Sequence, residues 1–265
     1  MIEWVKDLQA RFKLEPYLRI DHPVASVSQV YYRCEDRDLF FFSNYNLTQA
    51  HEFEAAFTTK HKTAWLWDPE TGERHPLPQS GHKLRIRLAP AESKLIVFDD
   101  QKAAGEAAVL QLPKPAGAVT ISGPWTVQLE HVNGTRRSLT LDALVDFKDK
   151  DELKAFAGVL WYETTLQLAN PREIEQVDLG KVCGVSEVVL NGQNLGVRWH
   201  GEHLYRVAGA TRTGANLLRV KVTTTLGNYM KSLTGNKGGV KWMKNQPFHP
   251  MGLLGPVRLL SRGRR

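Results

Sequence analysis

The chain has 265 residues, of which 42% are hydrophobic and 24% charged, so it can bury a real core and lacks the composition of a disordered protein. Since one core serves roughly 100–200 residues, the length favours two domains, with a single large β domain as the alternative. The net charge of +7 is scattered, with its densest runs at Arg136–Arg137 and in the tail 262–265, which favours a solvated surface over a nucleic-acid site.

The cysteines and the N-terminal residues give no sign of a disulfide framework, a membrane anchor or an export signal. Cys34 and Cys183 lie far apart in strand-like segments, so we interpret both as buried thiols rather than as parts of a disulfide or zinc site. The first 18 residues carry charges at every turn and have no uninterrupted apolar stretch. As written, the chain is predicted to be cytoplasmic, and to be secreted or periplasmic if it is a fragment of an exported enzyme.

A short helix is predicted at the N-terminus, within a linker over residues 1–20. Apolar residues recur there at spacings of one, three and four, which places them on one helical face that ends near Pro16. These residues are Trp4, Val5, Leu8 and Phe12. Because an apolar stripe needs a surface to pack on, we expect this helix to form a junction to a preceding domain.

From about Ala25 the apolar period changes to two, which predicts a first β-sandwich domain over residues 21–112. Its strand-like segments read SVSQVYYR, DLFFFSN, HEFEAAF, TAWLWD, KLRIRL and KLIVF. In HEFEAAF, the residues Phe53, Ala55 and Phe57 share one face, which predicts one buried and one wet side. The segment Asp68–Gly72 contains Pro and Gly in the positions of a tight turn and predicts a hairpin tip.

A stiff connection with two prolines, from Gln111 to Gly117, predicts the boundary to a second β-sandwich domain over residues 113–265. Its strand-like segments read GPWTVQLE, RSLTLDAL, GVLWYETTLQL, EQVDLG, VSEVVLNGQNLGVRW, LYRV, NLLRVKVTT and GPVRLL. Asn191-Gly192 predicts a two-residue hairpin turn. The helical candidate here is Lys150 to Phe156. The predicted class is therefore all-β, with two consecutive antiparallel sandwiches after a short helix.

The second domain resembles the galactose-binding-like jelly roll that serves as a sugar-binding domain in family 2 glycoside hydrolases and ends the large family 106 α-L-rhamnosidases. The resemblance is carried by FAGVLWYETTLQL from Phe156, DLGKVCGVSEVVLNGQNLGVRW from Asp178, TGANLLRVKV from Thr213 and GLLGPVRLL from Gly252.

The first domain extends this resemblance to the rhamnosidase type over nearly the whole chain. DLFFFSN from Asp38, WLWDPETGE from Trp65 and the strand ending in LIVF before Asp99 follow the order of the sandwich that precedes the jelly roll in those enzymes. Those enzymes also place a catalytic (β/α) barrel ahead of these domains, and no alternation of strands and helices occurs here. The resemblance therefore implies a C-terminal non-catalytic region.

No catalytic or metal-binding residues are predicted. A glycosidase needs two carboxyl groups a few ångström apart, one with a raised pKa. The acidic residues lie at turns or at outward strand positions, where a solvated surface role is expected: Glu92, Asp99, Asp100, Asp142, Glu163 and Glu187. The sequence has no HExxH motif, phosphate loop or GxSxG elbow. The jelly roll often carries a structural calcium ion, but no compact acidic loop supports one here, so no cofactor is predicted.

Carbohydrate binding is predicted at one end of the second sandwich. Sugars are bound by stacking on aromatic rings and by hydrogen bonds from polar side chains. The long loop from Leu226 to Met251 and the turn from Trp199 to Tyr205 both carry such side chains. The predicted binding residues are Trp199, His203, Tyr205, Asn228, Tyr229, Lys241, Trp242 and His249. For the aromatic residues among them, packing in the core or over the end of the sandwich is the alternative.

These observations predict an accessory carbohydrate-binding or scaffold region of an α-L-rhamnosidase-like glycoside hydrolase acting on plant-type polysaccharides, without activity of its own. Its expected partners are rhamnose-containing or pectic glycans and a catalytic domain upstream or in trans, with no membrane and no nucleic acid. The alternatives are a basic nucleic-acid-binding module, for which the net charge argues, and a purely structural module with an apolar patch around Trp4, Leu8 and Phe12.

Overall fold

The chain divides into two compact units, Met1–Leu112 and Pro113–Arg265, each with its own hydrophobic core. The computed structural model describes residues 2–78, 81–102, 117–207, 209–243 and 245–261. Residues 111–116 of the predicted connection lie outside this described part. Within it, no helix has both the length and the apolar character needed to cross a membrane.

The described residues of the first unit form one helix and eight strands. In chain order they are α1 (Ile2–Phe12), β1 (Leu18–Ile20), β2 (Val27–Arg33), β3 (Asp38–Asn44), β4 (His51–Phe57), β5 (Thr63–Trp67), β6 (Arg74–Pro76), β7 (Lys83–Leu88) and β8 (Ser93–Asp99). The strands pair antiparallel in a three-stranded sheet, β1-β4-β7, and a five-stranded sheet, β2-β3-β8-β5-β6.

Alternating side chains of the two sheets build the core of this unit. In β4 the predicted inner residues Phe53, Ala55 and Phe57 are buried, as predicted. Phe57 packs edge-on against Phe40 of β3, with ring centroids 4.7 Å apart. The predicted hairpin tip after β5 is also confirmed: the Gly72 amide donates a hydrogen bond to the Asp68 carbonyl, and Gly72 has the positive φ of 74° that favours glycine.

The second unit is also built of antiparallel sheets. Its described elements are β9 (Gly117–Thr120), β10 (Trp125–His131), β11 (Arg136–Leu141), β12 (Gly158–Leu168), β13 (Ile174–Asp178), β14 (Lys181–Cys183), β15 (Val185–Leu190), β16 (Gln193–Arg198), β17 (Leu204–Arg206), β18 (Gly214–Thr223), α2 (Gly227–Ser232), α3 (Lys237–Met243), β19 (Gly252–Gly255) and β20 (Arg258–Ser261). They form a six-stranded sheet, β11-β10-β12-β18-β15-β16, a four-stranded sheet, β17-β13-β20-β9, and the pair β14-β19.

The core of the second unit lies between its two larger sheets. Trp125 of β10 and Tyr162 of β12 are fully buried, as are Val177 of β13 and Val257 before β20. The Tyr162 hydroxyl accepts a hydrogen bond from the Leu253 amide at 3.1 Å, so even its polar atom is satisfied. The predicted Asn191-Gly192 turn joins β15 and β16. The predicted β architecture of antiparallel sheets after a short helix is thus confirmed.

Two predictions of local structure in the second unit were wrong. The segment from Leu226 to Met251, predicted as a loop, contains α2 and α3. The candidate helix from Lys150 to Phe156 consists of turns, and a single 3₁₀ turn precedes it at Phe147–Asp149, where the Asp146 carboxylate accepts the Lys148 amide. Short helices depend on tertiary contacts rather than on propensity, which explains both errors.

The two cysteines are free, and neither is fully buried. Cys34 and Cys183 are both half-buried, so the interpretation as buried thiols was wrong. Cys183 lies on the short strand β14, which pairs with β19. Burial still raises the pKa of the Cys183 thiol, which keeps it in the unreactive protonated form.

Candidate functional site

Both predicted binding segments start from the same end of the six-stranded sheet. Thr223, the last residue of β18, pairs with Val185 of β15, and the next residue, Ser186, pairs with Arg198 at the end of β16. The segment containing α2 and α3 therefore leaves from β18, and the turn after β16 leaves from two strands away. Since neighbouring strands lie about 4.8 Å apart, the two segments begin about 10 Å from each other.

His203 and Tyr205 are buried and belong to a hydrogen-bonded cluster with Ser186. The Ser186 hydroxyl lies 2.5 Å from His203 Nδ1 and 2.6 Å from the Tyr205 hydroxyl, which donates to the Ser186 carbonyl at 2.9 Å. Ser186 lies in the six-stranded sheet and Tyr205 in the four-stranded sheet, so the cluster links the two layers. His203 Nδ1 and the Tyr205 hydroxyl are thus used inside the sandwich.

This environment also shifts the acid–base behaviour of the two rings. Burial, with a smaller contribution from nearby Arg198, lowers the pKa of His203 to about 4. Burial raises the pKa of Tyr205 to about 12. Both side chains are therefore neutral at neutral pH. One consistent arrangement has the His203 Nδ1–H donating to Ser186, and Ser186 donating to Tyr205.

Asn228 is also buried and holds the segment that carries the other predicted residues. Its amide nitrogen donates to the His249 carbonyl at 2.8 Å, and its amide oxygen accepts the His249 backbone amide at the same distance. This pair of bonds connects the start of α2 to the residues that precede β19. The His249 side chain itself is exposed.

The remaining predicted residues reach the surface at separate places. Trp199 is 62% exposed in the turn after β16, and Trp242 on α3 is 71% exposed. The Lys241 ammonium lies 5.2 Å from the centroid of the Trp242 ring, so these neighbours form a cation–π pair. Tyr229 on α2 is half-buried and contacts His131 of β10 edge-on at 4.9 Å.

A cavity of about 260 Å³ lies beside α2, and Tyr229 is the one predicted residue that lines it. Ser232 of α2 also lines it, and the other lining residues come from β10, β11, the turn that joins them, and the turns before β12: Leu129, His131, Asn133, Thr135, Arg137, Glu152, Leu153, Ala155 and Phe156. Sequence reasoning missed these residues. The available signal was the alternation of β11, which places Arg137 on the same face as Leu139 and Leu141.

The carboxylates serve mainly as partners in structural contacts. Asp99, expected on the solvated surface, is buried and accepts the Trp65 indole N–H at 2.7 Å, so that expectation was wrong. Glu163 pairs with Arg219 at 3.2 Å across the outer face of the six-stranded sheet. In the described part of the chain, no three His, Cys, Asp or Glu side chains come together as a metal site.

The exposure of Trp242 makes a direct prediction about stability. Trp242→Ala is expected to change the free energy of unfolding by less than about 0.5 kcal/mol, because the ring removes little surface from water. Trp125→Ala, which empties a fully buried site, is the matched control and should cost about 3–5 kcal/mol. Urea denaturation measures both. A loss of several kcal/mol for Trp242→Ala would assign the ring to the core.

Comparison with known proteins relates the chain to parts of much larger enzymes. No protein-family model matches it. A protein of Formosa agariphila that bears the name "Putative beta-glucuronidase" is 30% identical over 121 residues, which are 43% of this chain and 10% of that protein. The structure of a rhamnosidase from Novosphingobium sp. PP1Y matches 97% of this chain and 26% of its own, with 24% identity and a TM-score of 0.73.

A β-glucuronidase of Ruminococcus gnavus matches 41% of this chain and 21% of its own length, at 19% identity and a TM-score of 0.34. This chain thus spans about a tenth of the curated relative and about a quarter of the rhamnosidase. The likeness to the rhamnosidase covers nearly the whole chain and shows its fold.

Proposed function

We propose that this chain is an accessory region of a glycoside hydrolase of the α-L-rhamnosidase type, which contributes carbohydrate contacts and scaffold to a catalytic barrel elsewhere. The observation that carries the proposal is the match of 97% of the chain to 26% of a rhamnosidase, because a segment that small accounts for only part of such an enzyme. The described elements include no alternation of strands and helices that would build a barrel.

The scaffold part of the proposal rests on the N-terminal helix. Trp4 is 64% exposed and Phe12 is 67% exposed on α1, while Leu8 between them is half-buried. Exposed apolar side chains grouped on one helix are typical of surfaces that contact another protein domain. A purely structural module would present the same surface, so this observation also favours that second candidate, which differs in binding no sugar.

The test is the hydrolytic activity of the purified chain on aryl α-L-rhamnosides. We expect no turnover above the rate of the buffer, because several of the carboxylates form structural contacts with neighbouring side chains. Hydrolysis by the chain that is lost in a variant such as Glu163→Gln would contradict the proposal. Glu163 is the appropriate carboxylate for this variant because it is half-buried and pairs with Arg219 on the sheet surface.

A further inference from the structure

On the core-facing side of strand β11, the apolar residues give way to a polar residue, and this polar residue lines the cavity beside α2. Residues of β11 pair with β10 so that Leu141 lies opposite Trp125, Leu139 opposite Val127, and Arg137 opposite Leu129. Leu141 and Leu139 pack on the core of the second unit. Arg137 follows on the same face, where an apolar residue would continue the pattern. Arg137 is exposed, so its guanidinium is accessible to a ligand.

Arg137 and Glu152 line this cavity without being paired. Within the described part of the chain, neither side chain makes an ion pair or a hydrogen bond. The guanidinium offers five N–H donors and no acceptor, whereas the carboxylate only accepts. A small ligand that carries both donors and acceptors could therefore be bound by both groups, and the opposite charges of the groups cancel.

Three rings supply the aromatic part of the cavity lining. His131 contacts Phe156 edge-on at 5.2 Å and Tyr229 at 4.9 Å. His131 Nδ1 accepts the Asn133 amide at 3.0 Å, which assigns the ring hydrogen to Nε2 and makes Nε2 a donor. Tyr229 is positioned through its neighbour Asn228, whose two bonds to the His249 backbone hold the start of α2. The rings are therefore held in place by contacts within the fold.

We propose that this cavity binds one neutral pyranose residue, with its ring against the aromatic lining and its hydroxyls hydrogen-bonded to Arg137 and Glu152. Hydroxyls donate and accept, as this pair of side chains requires, and the balanced charge favours a neutral sugar over a uronate. The volume of about 260 Å³ is below the range of about 300–1,000 Å³ for sites of drug-sized ligands, which indicates a single sugar unit. This inference rests on the proposed function and specifies the place and ligand of its carbohydrate contact.

The test is titration of the ¹⁵N-labelled chain with L-rhamnose, D-galactose and D-galacturonate, followed by amide shifts. We expect saturable shifts at Thr135, Arg137 and Tyr229 with a neutral sugar, and a Kd near about 1 mM, since an open site orders side chains and buries little surface. Arg137→Met and Glu152→Gln should each weaken binding at least about fivefold, a loss of about 1 kcal/mol for a hydrogen bond to a charged group. The melting temperature should not change, because both side chains are exposed and unpaired.

Arg136→Met is the matched control, because it removes the same charge from the adjacent position on the opposite face of β11. It should retain the wild-type Kd. Equal losses for Arg136→Met and Arg137→Met would reduce the effect to net charge and overturn the inference. Galacturonate bound tenfold more tightly than galactose would overturn the assignment to a neutral sugar.

The residues whose amide signals shift distinguish sugar binding in the cavity from sugar binding elsewhere on the chain. Saturable shifts at Trp199 and Trp242 with unchanged binding by Arg137→Met would overturn the cavity and leave an accessory sugar-binding region in place. The absence of saturable shifts at any residue with all three sugars would overturn the cavity together with the carbohydrate contact, leaving the purely structural module.

Discussion

Replacing Gly158 by alanine is expected to lower the free energy of unfolding of the second unit by about 3–5 kcal/mol, the sum of backbone strain and overpacking. Gly158 begins β12 with a φ of 150°. A Cβ at this position would lie 2.0 Å from the carbonyl oxygen of Glu130 in the neighbouring strand β10. Real side chains do not approach a carbonyl oxygen this closely, so the backbone of one strand would have to move.

Neighbouring strands hold Gly158 on both sides, which limits such a movement. On one side it pairs with His131 in the register of β10 and β12. On the other side its amide donates to the Thr224 hydroxyl at 2.9 Å, and the Thr224 amide donates back to the Gly158 carbonyl at the same distance. Relief of the clash would therefore break pairing in the centre of the six-stranded sheet, not at an edge.

Gly134→Ala separates the clash from the conformational preference of glycine. Gly134 has a φ of 90° in the turn between β10 and β11, and a Cβ there would meet nothing within 4 Å. Its replacement should cost only about 1–2 kcal/mol, the strain of a left-handed conformation in a non-glycine residue. Urea denaturation followed by tryptophan fluorescence measures both variants. Equal losses for Gly158→Ala and Gly134→Ala would contradict the role of the close strand approach.

The long strands could be predicted from sequence because their burial alternates with a period of two. The bounds of β3, β4, β7 and β12 agree with the predicted segments DLFFFSN, HEFEAAF, KLRIRL and GVLWYETTLQL. Each presents alternating buried residues to a core, so the pattern and the structure have the same cause. The three-residue strands β1, β6 and β14 are too short to show a period, and they exist because longer partners offer free edges at the right register.

The candidate site depended more on contacts between distant residues. His203 and Tyr205 are buried in contact with Ser186. Ser186 lies on a different sheet from Tyr205 and 17 residues before His203 in the chain. No local pattern reports such a contact. The alternation of β11 places Arg137 on the face of Leu139 and Leu141, but which residues of β10 lie opposite followed only from the register of the two strands.

The buried His203 predicts that the second unit loses stability in mild acid. Burial first, and then Arg198, hold the pKa of His203 at about 4, against an ordinary value of 6.5. The unfolded chain therefore binds a proton at a higher pH than the folded chain. The stabilisation is complete above about pH 6.5, falls as the pH decreases towards 4, and amounts to about 3 kcal/mol over that range.

The lowered pKa of Asp38 in the first unit places its titration in a different pH window from that of His203, whereas burial raises the pKa of Asp178 in the second unit and gives it a pH dependence of opposite sign. Burial raises the pKa of Asp38 in the first unit, but its hydrogen bonds, above all the one from Thr59, lower it by more. The pKa of Asp38 is therefore below its ordinary value of 3.8. A carboxylate with a depressed pKa contributes stability above the pKa of the unfolded chain and loses it below. Its loss therefore begins only near pH 4, where the contribution of His203 has already ended.

His203→Gln tests this directly, because glutamine keeps a hydrogen-bond donor and does not titrate. The variant loses about 1–3 kcal/mol at pH 7 through the disturbed bond to Ser186, so the pH slope carries the information, not the absolute stability. Between pH 6.5 and 4.5 the free energy of unfolding, from urea titrations, should fall steeply in the wild type and only slightly in His203→Gln. His249→Gln, at an exposed histidine of the same unit, should keep the wild-type slope. Parallel pH profiles for the wild type and His203→Gln would show that His203 is not the group responsible.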